Sequence, residues 1–251
     1  MNTESSCLDR LEISTPWMNA AGFLGFSPSS PAWPAEMGAF VTNPISLAPR
    51  KPALHRQVQP YAGGFLLHTG FPTPGFQAVL RQNVEKWKKL PIPVWAHLLP
   101  QTPEEIPGMI ETLETIDNIG AVELGIPPGI SLHSALDFIR AASGELPLMV
   151  CVGVDEIQSD WLPSIRDAGT TGLVLSAPRG ILKASDHLMR GRLYGPAVLP
   201  LMLKAVCRLA QFDLAVIASG GVFSLADGET LLAAGACAVQ VDAALWSNAD
   251  L

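Results

Sequence analysis

Two adjacent glycines, Gly220 and Gly221, follow a short apolar run that predicts a buried strand. Ser224 can cap the helix that comes next, and Asp227 stands at the capping-box spacing. Because glycine has no Cβ, the backbone can turn sharply here and approach a ligand closely. A strand, a glycine turn and a helix in this order can present backbone N–H groups to a phosphate. The same order also makes a tight turn with no ligand, so both interpretations stay open.

Polar residues stand at the ends of all the predicted strands. They are Asn19, Asn43, His97, Glu123, Cys151, Ser176, Ser219 and Asp242, and the loops beyond them add Arg50, His68 and Arg179. If the strands are parallel, these ends meet at one mouth, and the pattern predicts a polar pocket there. His97 and His68 are the candidate proton carriers. The alternatives are a structural role for His97 and, for Asn19 and Asn43, capping of loop backbone.

Glu123 lies inside an apolar run, between Val122 and Leu124. A buried carboxylate is costly unless it is paired or hydrogen-bonded. We therefore expect Glu123 to be held by a nearby cation or amide group of the protein.

Eight short apolar runs alternate with helix-like segments along the chain. The predicted strands are residues 17–20, 39–42, 94–97, 121–124, 148–152, 172–176, 214–218 and 238–241. This alternation predicts a (β/α)8 barrel that forms one domain over residues 1–251, with an open doubly wound sheet as the alternative. The proline-rich segment 43–75 exceeds an ordinary βα loop, and segments of that length are usually functional or disordered. A lid over the pocket is one role for it.

The end of the chain leaves little room for an eighth helix. Only ten residues follow Val241, so we expect that helix to be missing or truncated. One side of the barrel would then be thinly covered, which predicts a homo-oligomer or a partner subunit on that side.

Composition excludes several kinds of partner. A net charge of −7 and a pI near 5.2 argue against binding nucleic acid, and no basic patch suits an anionic membrane. No apolar run reaches the length of a membrane span, and the first residues do not resemble a secretory signal, so we expect a cytoplasmic protein. The four cysteines are scattered and predict reduced thiols, and no CxxC or His/Cys cluster predicts a metal site.

Several segments resemble, in the same order, motifs of the dihydroorotate dehydrogenase family, and together they span most of the chain. They are residues 18–22 (MNAAG), 41–50 (VTNPISLAPR), 66–75 (LLHTGFPTPG), 122–128 (VELGIPP), 193–200 (LYGPAVLP) and 220–241. The resemblance implies a (β/α)8 barrel that holds FMN and oxidises dihydroorotate to orotate in pyrimidine biosynthesis. It also implies the positions that would contact FMN: Asn19, Ala20, Ala21, Gly22, Asn43, Cys151, Ser176, Gly195, Gly220, Gly221, Asp242 and Ala243.

The chain departs from the family at chemically important positions. Asn43 and Cys151 stand where the family has lysines, and Ser176 stands where it has an asparagine. The matching run here is residues 125–130, in which Pro127 and Pro128 stand where the family has its catalytic serine or cysteine, and a proline cannot accept a proton. Loss of a positioned base typically costs about 10²–10⁴-fold in rate. Loss of the lysines removes cations that would stabilise a reduced, anionic flavin.

Two further departures concern the ligands themselves. Leu67 replaces the asparagine that begins the family's substrate loop, and Asp242-Ala243 replaces the Gly-Thr pair that holds the phosphate of FMN. A carboxylate at position 242 would repel that phosphate.

Three hypotheses about function follow. In the first, the chain is an FMN-type oxidoreductase scaffold that acts on a small molecule other than dihydroorotate, with His68 or His97 as the proton carrier. In the second, it is a non-catalytic barrel that binds a metabolite or a partner subunit. In the third, it is a true dihydroorotate dehydrogenase whose base has moved. FMN is expected under the first and the third.

Overall fold

The computed structural model describes residues 3–28, 37–54, 57–184 and 187–246. In chain order its elements are α1 (Thr3–Leu11), β1 (Trp17–Asn19), β2 (Phe40–Val41), β3 (Gln57–Tyr61), β4 (Gly64–His68), α2 (Phe76–Trp87), β5 (Val94–Leu98), α3 (Ile106–Glu114), β6 (Ile119–Gly125), α4 (Leu132–Ala141), β7 (Leu148–Gly153), α5 (Leu162–Asp167), β8 (Gly172–Ser176), β9 (Arg179–Ala184), β10 (His187–Tyr194), α6 (Leu199–Leu209), β11 (Ala215–Ser219), α7 (Leu225–Ala233) and β12 (Ala238–Val241).

Eight parallel strands form the barrel, hydrogen-bonded in the order β1, β12, β11, β8, β7, β6, β5, β2. A parallel bridge between Met18 and Ala39 brings β1 beside β2 and closes the ring. This confirms the predicted (β/α)8 barrel over the open sheet.

Alternation along each strand builds two apolar layers. In β5, Trp95 belongs to the cluster inside the barrel, whereas Val94 and Ala96 pack in the outer layer that the helices cover. Leu11 and Ile13, at the end of α1 and just after it, complete the inner cluster. The continuous apolar runs of the sequence arise because both faces of these strands are buried.

A second, antiparallel sheet lies beside the mouth of the barrel, with the strand order β3, β4, β10, β9. Segment 43–75, for which the sequence predicted no secondary structure, contributes the hairpin β3–β4. The hairpin β9–β10 comes from the connection between β8 and α6, where no strand was predicted. Pairing of Tyr194 with Phe65 joins the two hairpins. The two segments that the sequence predicted as long loops therefore form one small sheet.

The described chain ends in a short 3-10 segment, Ala243–Trp246, and no α-helix follows β12 within the described residues. Residues 247–251 lie outside them. The Trp246 ring packs on Phe23, with ring centroids 4.5 Å apart, and its N–H donates to the Phe23 carbonyl at 3.1 Å. The predicted oligomer or partner subunit stays a prediction. Of the helices in the described ranges, none has the length and hydrophobicity needed to span a membrane.

Cys7 and Cys237 form a disulfide, with Cα atoms 5.5 Å apart. The expectation of four reduced thiols was therefore wrong for this pair. The two cysteines are 230 positions apart and meet because α1 lies against the end of the barrel where β12 begins. Spacing along the chain carries no sign of that contact. Cys151 and Cys207 are free, the first buried and the second exposed.

We expect thiol titration to find one reactive cysteine in the native protein and two after denaturation without reductant, because only Cys207 is exposed among the two free thiols. Replacing Cys7 and Cys237 together by serine should lower the free energy of unfolding by about 2–4 kcal/mol, measured by urea denaturation. Cys207→Ser is the control and should leave stability unchanged. Four reactive thiols in the denatured protein would contradict the disulfide.

The side chain of Asn19 joins the first strand to the second. Its amide Nδ2 donates to the Val41 carbonyl at 2.6 Å, and its Oδ1 accepts from the Val41 N–H at 2.9 Å. The two-residue strand β2 offers few main-chain bonds of its own. A fully buried side-chain amide therefore supplies the connection between β1 and β2.

Replacing Asn19 by leucine, which has a similar volume, should lower the free energy of unfolding by about 2–4 kcal/mol, because the buried N–H and C=O of Val41 both lose a partner. Urea denaturation measures the loss. Thr170→Val is a matched control, since the Thr170 hydroxyl is buried and has no hydrogen-bond partner in the part of the chain that the structure describes. Similar losses in both variants would show that Asn19 does not join the strands.

Candidate functional site

A cavity of about 610 Å³ opens at the carboxyl ends of the barrel strands. Six of the predicted site residues line it: Ala20, Ala21, His97, Cys151, Ser176 and Asp242. Eight others do not: Asn19, Gly22, Asn43, His68, Gly195, Gly220, Gly221 and Ala243. The predicted polar mouth is therefore present, and eight of the eleven polar residues predicted for it line the cavity: Arg50, His97, Glu123, Cys151, Ser176, Arg179, Ser219 and Asp242.

A buried hydrogen-bonded trio forms the floor of the cavity. Glu123 is 1% exposed, and its Oε1 lies 2.8 Å from Nδ1 of His97. Its Oε2 accepts from Nε2 of Gln240 at 2.7 Å. The Thr42 hydroxyl accepts from the His97 backbone N–H at 3.0 Å and holds that strand in place. The expectation that Glu123 needs an amide partner is confirmed, and Gln240 provides it.

Cys151 lies beside this trio on the next strand. Burial raises the pKa of its thiol well above the usual range, and the negative charge of Glu123 adds to that effect. Ser176 hydrogen-bonds the thiol, and the nearby Arg192 acts in the opposite direction on the pKa. Cys151 thus brings a third donor atom to the end of the cavity that already holds His97 and Glu123.

Arg192 is the cation closest to the floor, and no sequence motif had identified it. It projects from β10, and its Nη1 donates to the Ser176 hydroxyl at 2.6 Å and to the Ala177 carbonyl at 2.7 Å. Both partners are neutral, and Arg192 forms no salt bridge among the described residues. Along β10, buried Met189 and Gly191 alternate with exposed Arg190. The corresponding alternation of residue types in the sequence was the available signal for a strand here.

Three more cations line the outer part of the cavity: Arg50, Lys51 and Arg179. Two carboxylates line it as well, Glu123 on the floor and Asp242 at the end of β12. Positive charge therefore surrounds the entrance, while the buried acids stand deeper.

Asp242 is 1% exposed and stands beside the glycine turn that follows β11. Its Oδ1 accepts from the Ala243 N–H, and its Oδ2 has no hydrogen-bond partner among the described residues. A Cβ placed on Gly220 would lie 3.1 Å from that Oδ2. Burial raises the pKa of Asp242 from 3.8 to about 7, and no charged group compensates the effect.

The glycine turn itself packs against protein. Gly221 has a φ of 79°, and a Cβ there would lie 2.6 Å from the Leu199 N atom. The Ser224 hydroxyl and the Asp227 carboxylate accept from backbone N–H groups at the start of α7, so the capping predicted for this helix is confirmed. The contact of Gly220 and Gly221 with a phosphate stays a prediction.

The remaining predicted residues have structural contacts. Gly195 has a φ of 134° and lets β10 approach the β3–β4 turn, since a Cβ there would lie 2.3 Å from the Gly63 carbonyl oxygen. Asn43 accepts from the Gly25 N–H at 3.0 Å and fixes the loop after β1. His68 is exposed at the end of β4, away from the cavity, whereas His97 lies within it.

Pro127 and Pro128 line the cavity together with Gly125 and Ile126. The strand-end loop that carries the family's base thus faces the cavity here, with side chains that cannot exchange a proton. Tyr194 also lines the wall. Burial raises the pKa of its hydroxyl to about 12, so it stays neutral.

No protein-family model matches the sequence. Curated relatives span nearly the whole chain. The catalytic subunit of dihydroorotate dehydrogenase B (NAD(+)) from Cutibacterium acnes is 29% identical over 96% of this chain and 87% of its own length. The same subunit from Methanocella arvoryzae is 29% identical over 95% and 85%.

Among solved structures, dihydroorotate dehydrogenase from Eimeria tenella in complex with ferulenol superposes with a TM-score of 0.74. It shares 17% identity, and the match covers 92% of this chain and 76% of that one, so it supports the fold alone. The barrel, the order of the motifs and the span of the curated relatives make the chain similar to the dihydroorotate dehydrogenases over nearly its whole length.

Proposed function

We propose that this member of the family binds a small anionic molecule other than dihydroorotate in the cavity at the carboxyl end of its barrel. The observation that carries the proposal is the replacement of the family's catalytic groups by a different set: Arg192 on one wall, His97 and Glu123 on the floor, and Pro127 and Pro128 in the loop that resembles the one carrying the family's base. The chain thus has a cavity at the position that the family resemblance implies, but with different chemical groups in its walls.

Arg192 supports an anionic ligand because its guanidinium forms no ion pair with any residue that the structure describes. Its Nη1 donates to two neutral oxygens, and a guanidinium has five N–H donors in all. A guanidinium recognises a carboxylate or a phosphate through paired hydrogen bonds. Arg50, Lys51 and Arg179 add positive charge along the entrance and would attract an anion toward Arg192.

The described residues do not suit FMN as the family holds it. The buried carboxylate of Asp242 stands beside Gly220, where the phosphate would bind. An apolar cluster that includes Tyr194, Ala177 and Ala243, with Phe23 packed against it, occupies the adjoining space. A dianionic phosphate would meet a carboxylate and aromatic rings where it needs donors and cations.

Two features favour the flavin-dependent reading as the second candidate. Ala20 and Ala21 line the cavity where the flavin ring is expected, and the relatives named above are called dihydroorotate dehydrogenases. If FMN bound, it would supply the electron chemistry, Ala20 and Ala21 would lie along its ring, and His97 would be the protein group nearest to a role in proton transfer.

Spectroscopy separates the candidates. We expect the purified protein to be colourless and to leave the fluorescence of added FMN unquenched, because the phosphate has no favourable site. Asp242→Gly removes the repelling carboxylate and tests whether that one group prevents the binding of FMN. A yellow protein that releases FMN on denaturation and is bleached by dihydroorotate would contradict our proposal and establish the enzyme of the family.

Anion binding can be measured by the thermal unfolding midpoint with succinate, inorganic phosphate or orotate added. We expect succinate or phosphate to raise the midpoint more than orotate does. Arg192→Gln should weaken that binding about 10-fold or more, since a charged hydrogen bond contributes about 1.5–3 kcal/mol. Arg190→Gln is the matched control, because Arg190 lies on the same strand but is exposed and outside the cavity. Equal effects in both variants, or no stabilisation by any probe, would contradict the proposal.

The carboxyl of Asp242 predicts a distinct pH dependence of stability. Its folded pKa of about 7 lies above the unfolded value of 3.8, so the native state binds more protons between these values and loses stability as pH rises through about 7. Asp242→Asn keeps the Oδ1 acceptor and removes the charge. The free energy of unfolding of this variant, relative to that of the unmodified protein, should increase by about 2–3 kcal/mol between about pH 5 and about pH 8. Urea denaturation at the two pH values measures the gain, and a gain that does not change with pH would contradict the buried ionisation.

A further inference from the structure

We propose that His97, Glu123 and Cys151 form a binding site for a divalent transition metal ion, zinc or a metal of similar preference, on the floor of the cavity. One nitrogen, one carboxylate oxygen and one sulfur lie within 4.8 Å of one another, and all three residues are buried. They come from the adjacent strands β5, β6 and β7. This inference goes beyond the proposed anion binding and does not depend on it.

The donor set is chemically selective. Imidazole, carboxylate and thiolate are the ligands that zinc uses, and hard ions such as magnesium and calcium prefer oxygen alone. A divalent ion with one carboxylate, one thiolate and one neutral imidazole gives a site without net charge. Such a site can be buried at much lower cost than an unpaired carboxylate.

The geometry requires only a small closure around the ion. Ligand atoms in a tetrahedral zinc site are about 3.5 Å apart, given metal–ligand distances of about 2.0–2.3 Å. Starting from 4.8 Å or less, side-chain rotations of about 1 Å would bring the three atoms together. The hydrogen bond between His97 Nδ1 and Glu123 Oε1 would open to admit the ion between them.

Gln240 gives an independent indication of a missing ligand. Its Nε2 is fixed by the bond to Glu123, which leaves Oε1 as an acceptor. This oxygen is buried and has no hydrogen-bond partner among the described residues, and the side chain lines the cavity. A water molecule bound to a metal at His97, Glu123 and Cys151 is a donor of the kind that the unsatisfied Gln240 oxygen needs.

Three protein ligands leave the fourth position of the ion facing the cavity. Zinc sites that act on substrates have this composition, whereas structural sites use four protein ligands. The metal could therefore hold a water molecule or an anionic group of a ligand at its open position.

The test is a titration of the full chain, freed of metal by a chelator, with Co²⁺ and with Zn²⁺ as the probes. We expect one Co²⁺ per chain and an intense near-ultraviolet sulfur-to-cobalt charge-transfer band, which Zn²⁺ then displaces. Cys151→Ser should abolish that band. Cys207→Ser, which removes the other free thiol, should keep it. Gln240→Leu, which removes the group that orients Glu123, should weaken Co²⁺ binding about 10–100-fold.

His97→Gln keeps the proposal testable if Cys151→Ser does not fold. It should weaken Co²⁺ binding by more than Gln240→Leu does, because it removes a ligand. Two results would overturn the proposal: no saturable binding of Co²⁺ or Zn²⁺ to the folded chain, or a charge-transfer band that disappears in Cys207→Ser and persists in Cys151→Ser. In either case His97, Glu123 and Cys151 form a hydrogen-bonded network only.

Discussion

The burial of the Glu123 carboxylate inside the barrel is the constraint that shapes the rest of the site. A carboxyl group that is 1% exposed must find compensation for its lost hydration within a few ångströms. Two neighbouring groups provide it: the imidazole of His97 from the adjacent strand and the amide of Gln240 from across the barrel. The floor of the cavity is therefore a hydrogen-bonded polar layer on top of an apolar core.

The side chains around this layer differ from those that the resemblance implies. In the family, the resemblance places lysines near the flavin and a base in the loop after the strand that carries Glu123. Here Cys151 and Asn43 stand at the lysine positions, and Arg192, which hydrogen-bonds Ser176, comes from a strand of the small antiparallel sheet. Positive charge beside the floor of the cavity therefore comes from a hairpin at the mouth of the barrel and not from a barrel strand.

The barrel could be predicted from the sequence because its signal is local. Each strand is a short apolar run, and each helix begins near a capping residue or a proline. The partner of Glu123 was predicted in kind, an amide or a cation, since the cost of a buried charge does not depend on the fold. Which amide it would be could not be predicted, because Gln240 is 117 positions away.

Other features escaped prediction for the same physical reason. The hairpins β3–β4 and β9–β10 are joined by cross-strand pairs between β4 and β10, and polar residues or a proline interrupt the apolar residues of β3, β9 and β10. Arg192 could not be recognised as a site residue until that sheet placed it over Ser176. The disulfide of Cys7 and Cys237 likewise depends on where α1 docks.

The glycine turn after β11 is explained by packing within the protein. Gly220 and Gly221 adopt the left-handed conformations that a close approach requires. Yet the space near Gly220 holds the Asp242 carboxylate, and Gly221 packs on the start of α6. The steric need for glycine is therefore met by the protein's own atoms, since a Cβ at Gly221 would collide with the Leu199 backbone whether or not a phosphate were bound. A glycine motif at the end of a barrel strand thus indicates close packing first, and a phosphate only when donors or cations accompany it. In this chain the accompanying group is a buried acid, which favours a ligand bound elsewhere in the cavity.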